Sequence, residues 1–200
     1  MLKNLFFLPE SFDVPPITIK EFIRLNTVFY PNFSKDQFDQ YLEDFHLDIN
    51  SKMSELSLGQ KKKAIIAYAI ALNTSITLLD EPTNSLDIPS KAQFRKVIAS
   101  AYDENKCMVI STHQVRDLES LIDPIIILDQ NQILINHSVE DITRKLLFTY
   151  STQKPENALF SEQTILGYTS VLENVNGEDS TLNIEALFNT VVTNKAKIID

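Results

Sequence analysis

Two short apolar runs joined by one helical stretch constrain the fold of this chain more than any other feature. The first run, residues 76–79, ends in Asp80 and Glu81, and the second, residues 107–110, is followed closely by His113. A strand, helix, strand unit of this kind places its two strands parallel, usually as neighbours in one sheet. We therefore expect an α/β fold in which His113 lies beside Glu81.

The two carboxylates are expected at the carboxyl end of the first strand, because Pro82 cannot continue a central strand. Ligands bind just beyond such strand ends in open α/β sheets. Phosphoryl transfer needs charge neutralisation and positioning, so Asp80 is a candidate to hold Mg2+ and Glu81 to orient an attacking water. The alternative is a solvated acidic turn, with His113 as a structural hydrogen-bonding residue.

A second candidate site is the polar loop that contains Ser57, Gly59 and Gln60, just before residues with helical apolar spacing. Free N–H groups and the positive end of a helix dipole attract an anion at such a position. An ordinary N-cap with a flexible residue is the alternative. The lysines at 61–63 are expected to lie in a solvated first helical turn. The alternative is that their charges assist the binding of a triphosphate.

Together these motifs resemble the ATP-binding cassette (ABC) ATPases, in which a signature loop, a Walker B strand with its glutamate, a D-loop and a switch histidine follow in this order. The matching segments are residues 56–60, 76–87 and 111–113. The resemblance covers most of residues 1–147. The overall pattern looks most like the ATPase subunits of bacterial exporter-type systems.

Two departures from the family pattern stand out. Leu58 occupies the third signature position, where the family usually has glycine. The phosphate-cradling sequence G-x-x-x-x-G-K-[ST] of Walker A is not found, and the chain has only 3 glycines, where average usage would give roughly 14. The resemblance therefore predicts a partial P-loop NTPase-like cassette in a truncated form, without its Walker A portion.

The resemblance implies ATP and Mg2+ as cofactors and assigns a role to each motif. Glu81 is expected to orient water, His113 to sense the γ-phosphate and Asp80 to hold magnesium. The remaining candidates for nucleotide binding are Ser57, Gly59 and Gln60 of the signature loop, Asp87 of the D-loop, and Glu10. The signature loop is expected to act on ATP held by a second cassette, since it cannot reach its own Walker A site.

Glu10 follows an apolar run at residues 5–8 that predicts a strand. In the family this strand leads into the Q-loop, whose glutamine contacts the metal and the attacking water, and Glu10 occupies that position. A surface glutamate is the alternative. Residues 11–55 then resemble the helical subdomain of the family.

Residues 10–33 are rich in aromatic residues and prolines. In the family the region after the Q-loop receives a membrane subunit. We therefore expect this segment to dock on a membrane partner. The alternative is that its apolar residues seal the helical subdomain.

The remainder of the chain predicts smaller elements. Residues 124–135 indicate an antiparallel hairpin, and a short helix is expected to end near Leu147. The composition changes after Phe148, so residues 148–200 are predicted to form a small C-terminal α/β appendage. Its elements are a strand at 164–172 and a final helix from Ile184.

Charge and cysteine content exclude some classes of function. The net charge of -9 argues against nucleic-acid binding, which favours a basic surface. The single cysteine, Cys107, is predicted to be a buried small hydrophobe in a reducing compartment. No apolar run approaches the roughly 20 residues that span a bilayer. Membrane association is therefore expected only through a partner.

We predict from these observations an ATP-binding and ATP-hydrolysing subunit of an ABC transporter. The predicted partners are a second ABC cassette and an integral membrane subunit, and the predicted location is cytoplasmic, peripheral at the inner face of the cell membrane. The alternatives are a non-catalytic remnant or interaction module, and a soluble ABC protein that acts on ribosomes or DNA.

Overall fold

A computed structural model of the chain describes residues 2–119 and 121–194, and its fold is α/β, as predicted. Within these residues the α-helices are α1 (Ile19–Asn26), α2 (Lys35–Asp44), α3 (Leu58–Ala71), α4 (Ile88–Ser100), α5 (Val139–Lys145) and α6 (Ile184–Asn194). The strands are β1 (Leu5–Leu8), β2 (Ile76–Asp80), β3 (Cys107–Ser111), β4 (Ile125–Asp129), β5 (Gln132–His137), β6 (Leu146–Ser151), β7 (Phe160–Thr164) and β8 (Gly167–Glu173).

The chain divides into two compact units, one up to Asp117 and one from Leu118. The domain boundary predicted between residues 147 and 148 falls inside β6. That boundary was drawn from family motifs and composition, and it stays a prediction. No helix among the described residues combines the length and the apolar character needed to cross a bilayer.

The first unit contains a three-stranded sheet in the order β1-β2-β3, with both pairs parallel. Helix α4 lies between β2 and β3 in the sequence, which confirms the predicted strand, helix, strand unit. The register pairs Asp80 with Ser111 at the carboxyl ends of the two strands. This register brings the residues that follow each strand to the same edge of the sheet.

Helix α3 is the most enclosed element of the first unit. Every residue from Ala64 to Ala71 is buried, although only one face was predicted to be apolar. Its Tyr68 ring contacts four aromatic rings edge-on or tilted, and these belong to Phe6, Phe22, Tyr30 and Phe33. Burial raises the pKa of the Tyr68 hydroxyl. The signature loop therefore begins a helix whose later turns are buried on all sides.

Two segments of the helical region, residues 18–21 and 34–37, have the capping-box sequence pattern but differ in the structure. Thr18 and Glu21 form the complete reciprocal pair at the start of α1. At α2 only half of the box forms: Ser34 accepts from the Gln37 backbone N–H, but the Gln37 side chain accepts a hydrogen bond from Asn73 instead (2.6 Å). A tertiary partner has therefore displaced the local one.

The second unit contains the predicted antiparallel hairpin, β4 and β5, whose turn residues Gln130 and Asn131 have positive φ. It also contains a three-stranded antiparallel sheet in the order β6-β8-β7. The strand predicted at 164–172 corresponds to β8 from Gly167 onward, but its predicted start is wrong, because Ile165 and Leu166 lie in the turn between β7 and β8. Strand β6 was not predicted.

Cys107 is exposed, so its predicted burial is wrong. It begins β3 on the same face of the sheet as Val109, which is 47% exposed, and Phe7, which is 52% exposed. The opposite face holds the buried Leu8 and Leu79. An apolar run predicts a strand, but it does not by itself determine that both faces are covered.

Candidate functional site

The site is built on the carboxyl end of β2, the central strand of the first unit. Asp80 is the last residue of the strand, and the Ser111 hydroxyl donates to its Oδ1 atom at 2.6 Å. Glu81 follows with a φ of 45°, an uncommon value for a residue with a side chain. Its N–H donates to the Ser111 carbonyl at 2.9 Å, which holds this backbone turn against β3.

The Glu81 carboxylate is oriented by the two residues after β3. Thr112 Oγ1 donates to one carboxylate oxygen at 3.0 Å, and the His113 N–H donates to the other at 2.9 Å. The His113 ring nitrogen Nδ1 lies 2.7 Å from that second oxygen. Nδ1 must carry a proton to donate here, so Nε2 is the ring atom that Glu81 does not use. The predicted neighbourhood of Glu81 and His113 is confirmed.

The two side chains differ strongly in solvent access. The Glu81 side chain is 15% exposed, whereas the His113 side chain is 70% exposed. A partly buried carboxylate with fixed hydrogen bonds keeps a defined orientation, while the imidazole remains open to a ligand or partner. The roles predicted for both residues stay predictions.

The signature loop forms the N-terminus of α3. Ser57 is the N-cap and completes a capping box with Gln60: Ser57 Oγ accepts from the Gln60 N–H at 3.2 Å, and Gln60 Oε1 accepts from the Ser57 N–H at 2.9 Å. The box uses two of the four N–H groups that a helix start leaves unpaired. The N–H groups of Leu58 and Gly59 are therefore the ones available to an anion.

Gly59 is required by a close backbone approach. A Cβ atom built on Gly59 would lie 2.8 Å from the carbonyl oxygen of Ser85, nearer than real Cβ contacts. Ser85 belongs to the D-loop segment and has a φ of 69°. The structure therefore brings the signature loop and the D-loop into contact within one unit. Among the described residues no hydrogen bond joins Ser57 or Gln60 to the acids after β2.

Asp87 caps α4 at the end of the D-loop. Its Oδ1 accepts from the Ser90 N–H at 2.9 Å. Hydrogen bonds from the side chain and the backbone of Ser90 hold the pKa of Asp87 below its ordinary value. Its structural role is therefore defined, and its predicted nucleotide role stays a prediction.

Glu10 follows β1 after Pro9 and is held at both its side chain and its backbone. Asn84 Nδ2 donates to Glu10 Oε1 at 2.7 Å, and Lys62 Nζ donates to the Glu10 carbonyl oxygen at 2.8 Å. Asn84 in turn accepts from Gln114 Nε2 at 2.9 Å. A hydrogen-bonded path thus runs from Glu10 through the loop after β2 to the residue next to His113.

The residues at the carboxyl end of β2 fit a magnesium ion only if the ion binds together with a nucleotide. Within the described residues no group of three or more His, Cys, Asp or Glu side chains has the geometry of a metal site. Mg2+ is commonly held by one or two carboxylates together with substrate phosphates rather than by an all-protein cage. Asp80, fixed by Ser111, fits a metal that binds together with a nucleotide.

Sequence reasoning did not find Thr112, Asn84 or Gln114 as site residues, and it predicted Lys62 to be solvated. Asn84 and Thr112 lie inside the matching segments and Gln114 directly follows one, but their partners are far away in sequence. Lys62 is instead 2% exposed. A signal was present for it, because Ile66 and Ala69 follow at helical spacing on the same face and are buried.

Part of this chain matches a known protein family. Residues 4–84 match the model of the ABC transporter family. The match covers 81 of the 200 residues, and over that part the chain resembles the family. The matched region contains the signature loop and the Walker B strand, so the resemblance predicted from sequence is confirmed.

Two relatives illustrate the extent of the similarity. An uncharacterized ABC transporter ATP-binding protein of Methanocaldococcus jannaschii is 34% identical over 98 residues, which are 49% of this chain and 37% of that protein. An energy-coupling factor transporter ATP-binding protein of Mycoplasmoides gallisepticum is 34% identical over 93 residues, or 46% of this chain and 29% of that protein. This chain therefore spans well under half the length of either relative.

The fold comparison agrees with the sequence comparison. A solved structure described as the ATP binding subunit of an ABC transporter superposes with a TM-score of 0.62 at 23% identity, over 71% of this chain and 62% of that one. The predicted fold, an ABC ATPase domain matched over part of its length, is confirmed.

Proposed function

We propose that this chain is a subunit of an ABC transporter that hydrolyses ATP to drive transport through a partner membrane subunit. The orientation of the Glu81 carboxylate by Thr112 and His113 carries the proposal. A fixed carboxylate at the carboxyl end of a parallel strand is suited to orient a water for attack on a phosphate. The transporter names of the relatives favour this function over a non-catalytic module or a protein acting on ribosomes or DNA.

Each residue of the site has a defined task in this proposal. Bound Mg2+ would neutralise phosphate charge, and Asp80 would hold it or its waters. Glu81 would orient the attacking water and accept its proton. His113 would donate to the γ-phosphate from Nε2, which would have to carry a proton as well, because Nδ1 is engaged by Glu81 and phosphate oxygens only accept.

The signature loop would act on ATP bound to a second cassette. The N–H groups of Leu58 and Gly59 and the hydroxyl of Ser57 would contact the γ-phosphate, with the positive end of the α3 dipole adding attraction. Gln60 would act mainly by holding the loop through the capping box. Asp87 and Glu10 complete the proposed nucleotide site, the first at the D-loop and the second at the Q-loop position.

The surface around α1 supports a membrane partner at the inner face of the cell membrane. Within the predicted docking segment, Tyr30 and Phe33 pack on Tyr68, so these rings seal the subdomain. Val28 and Phe29 are instead 74% and 68% exposed. Neighbouring exposed apolar side chains of this kind suit a protein contact.

The hydrolysis proposal is tested on the assembly isolated from its native cells through an affinity tag on this chain. Glu81→Gln should retain nucleotide binding and lose turnover by roughly 100-fold or more, the scale of general-base catalysis. Glu104→Gln, an exposed acid away from the site, is the matched control. Turnover of the Glu81 variant within a few-fold of the parent would contradict the assigned role. An assembly that does not hydrolyse ATP would favour the non-catalytic alternative.

The docking proposal is tested by co-purification of membrane proteins with the tagged chain. Phe29→Asp should reduce recovery of the membrane subunit while leaving the melting temperature nearly unchanged, because exposed substitutions usually cost under about 0.5 kcal/mol. Ile165→Asp, at a fully exposed residue of the second unit, is the control. Equal recovery from both variants would contradict docking at this surface.

A further inference from the structure

Lys62 is a buried cation that the proposed reaction does not use. It lies in the first turns of α3 and is 2% exposed. Its Nζ donates to the carbonyl oxygen of Glu10, 52 residues earlier in the chain, at 2.8 Å. The same Nζ lies 5.4 Å from the centre of the Phe12 ring, within the range of a cation–π interaction. Two contacts therefore join the start of α3 to residues 10–12.

We propose that Lys62 is a positioning residue, which fastens the Glu10–Phe12 segment to the signature helix and so fixes where the Glu10 carboxylate lies. The fastening itself is a property of the described structure. Its effect on turnover rests on the proposed ATPase function.

The local charges explain why a lysine suits this position. The carboxylates of Glu10, Asp80 and Glu81 all stabilise the Lys62 ammonium, while burial opposes it and holds its pKa below the ordinary value. Glu10 adds a negative charge at a position where the family has glutamine. A buried cation beside it offsets that charge, whereas a neutral side chain would leave three acids near one another.

The side chain of Glu10 is held independently of its backbone. Asn84 donates to the Glu10 side chain, while Lys62 holds the Glu10 backbone. These residues also border a cavity of about 300 Å³ that reaches the D-loop at Ser85. Because two separate groups fix one residue at the edge of an open cavity, loss of Lys62 should free the 10–12 segment without removing the Asn84 contact.

The absence of tryptophan from the sequence gives a direct probe of this fastening. Phe12→Trp places a single indole next to the Lys62 ammonium, and its fluorescence is measured in the full chain. Adding Lys62→Met, which keeps the apolar stem but removes the charge and the donor, should shift the emission to longer wavelength and increase quenching by acrylamide. Lys62→Arg should restore the parent signal, because guanidinium can both donate and stack on an aromatic ring.

Lys61→Met in the same Phe12→Trp background is the matched control, since it removes a neighbouring positive charge that makes neither contact. An unchanged indole signal in the folded Lys62→Met variant would overturn the proposal. A second comparison does not depend on that variant: the indole of Phe12→Trp in the otherwise unaltered chain should be quenched much less than that of Phe29→Trp, at an exposed position. Equal quenching of the two would also overturn the proposal.

Turnover of the isolated assembly separates this inference from the proposed function. Lys62→Met should lower kcat by on the order of 10- to 100-fold, the scale of a small misplacement of a catalytic group, with a smaller change in KM for ATP. Lys62→Arg should recover most of the loss. If the parent assembly does not hydrolyse ATP, the proposed function is refuted. The attachment of residues 10–12 to α3 is not affected by that result, because the fluorescence experiments test it separately. A freed indole at position 12 with unchanged kcat would refute the catalytic consequence.

Discussion

Replacing Gly59 by alanine should destabilise the chain, although alanine is the better helix former. Gly59 is the second residue of α3, and an added Cβ would meet the Ser85 carbonyl oxygen at 2.8 Å. The oxygen is a backbone atom, so it cannot rotate away as the end of a flexible side chain would. Either the D-loop or the first turn of α3 must move by several tenths of an ångström.

The size of the effect follows from two opposing contributions. Alanine in place of glycine in a helix stabilises by roughly 0.5–1 kcal/mol, and the forced shift costs about 1–3 kcal/mol, the range for inserting an extra group into packed structure. The net loss therefore lies between about 0 and 2.5 kcal/mol, with a central value of about 1 kcal/mol. For a chain of this length the central value corresponds to a fall in melting temperature of about 2–4 °C.

Thermal and urea unfolding of the full chain measure this loss. Leu58→Ala is the matched control, because it lies in the same turn and its side chain is 59% exposed, so its cost should stay within about 0.5 kcal/mol. A Gly59→Ala variant more stable than the parent, as the helix preference of alanine alone would give, would refute the close approach between the signature loop and the D-loop.

Two further predictions concern hydrogen bonds around the site. Asn84→Ala should lower the free energy of unfolding by about 1–2 kcal/mol, because it removes the donor to Glu10 and the acceptor for Gln114; Asn136→Ala, at an exposed position of β5, should be nearly neutral in the same urea titration. Asp87→Ala should be less stable than the parent at pH 7, and the gap should close as the pH falls below the ordinary carboxyl pKa of 3.8, because the folded pKa of Asp87 is lowered and its stabilisation is lost on protonation. A gap that is the same at pH 7 and pH 3 would contradict the charged cap.

The neighbourhood of Glu81 and His113 could be predicted because it depends on few residues. Two apolar runs separated by one helix length specify parallel neighbouring strands, and residues after such strands meet at one edge of the sheet. The structure adds contacts and a backbone conformation that the sequence pattern does not reveal. Thr112 also donates to Glu81, and the backbone of Glu81 takes a positive φ to reach the Ser111 carbonyl.

The environment of Glu10 could not be predicted, because it depends on tertiary contacts over 52 and 74 residues of sequence. The lysine run at 61–63 looks uniformly solvated, yet one of its members faces the same side as the buried Ile66. Packing of α3 on all sides, rather than composition, decides that Lys62 is enclosed.

The same distinction applies to the second unit. The hairpin of β4 and β5 could be recognised from its polar turn, whereas the hairpin of β7 and β8 has the apolar Ile165 and Leu166 at its tip. These side chains are fully or largely exposed. An apolar turn has the composition of a strand interior, so the predicted strand began at Thr164, before the turn, instead of at Gly167.

Photolabelling of the native assembly with an ATP analogue that carries an aryl azide on its γ-phosphate tests the central claim most directly. The analogue is cross-linked in the presence of Mg2+, and labelled peptides of this chain are mapped by mass spectrometry. Label is expected on the peptides that contain residues 57–60 and 111–113, and excess ATP should prevent this labelling. Label confined to peptides outside these segments, or label that ATP does not displace, would contradict a nucleotide site formed by the signature loop and the residues after β3.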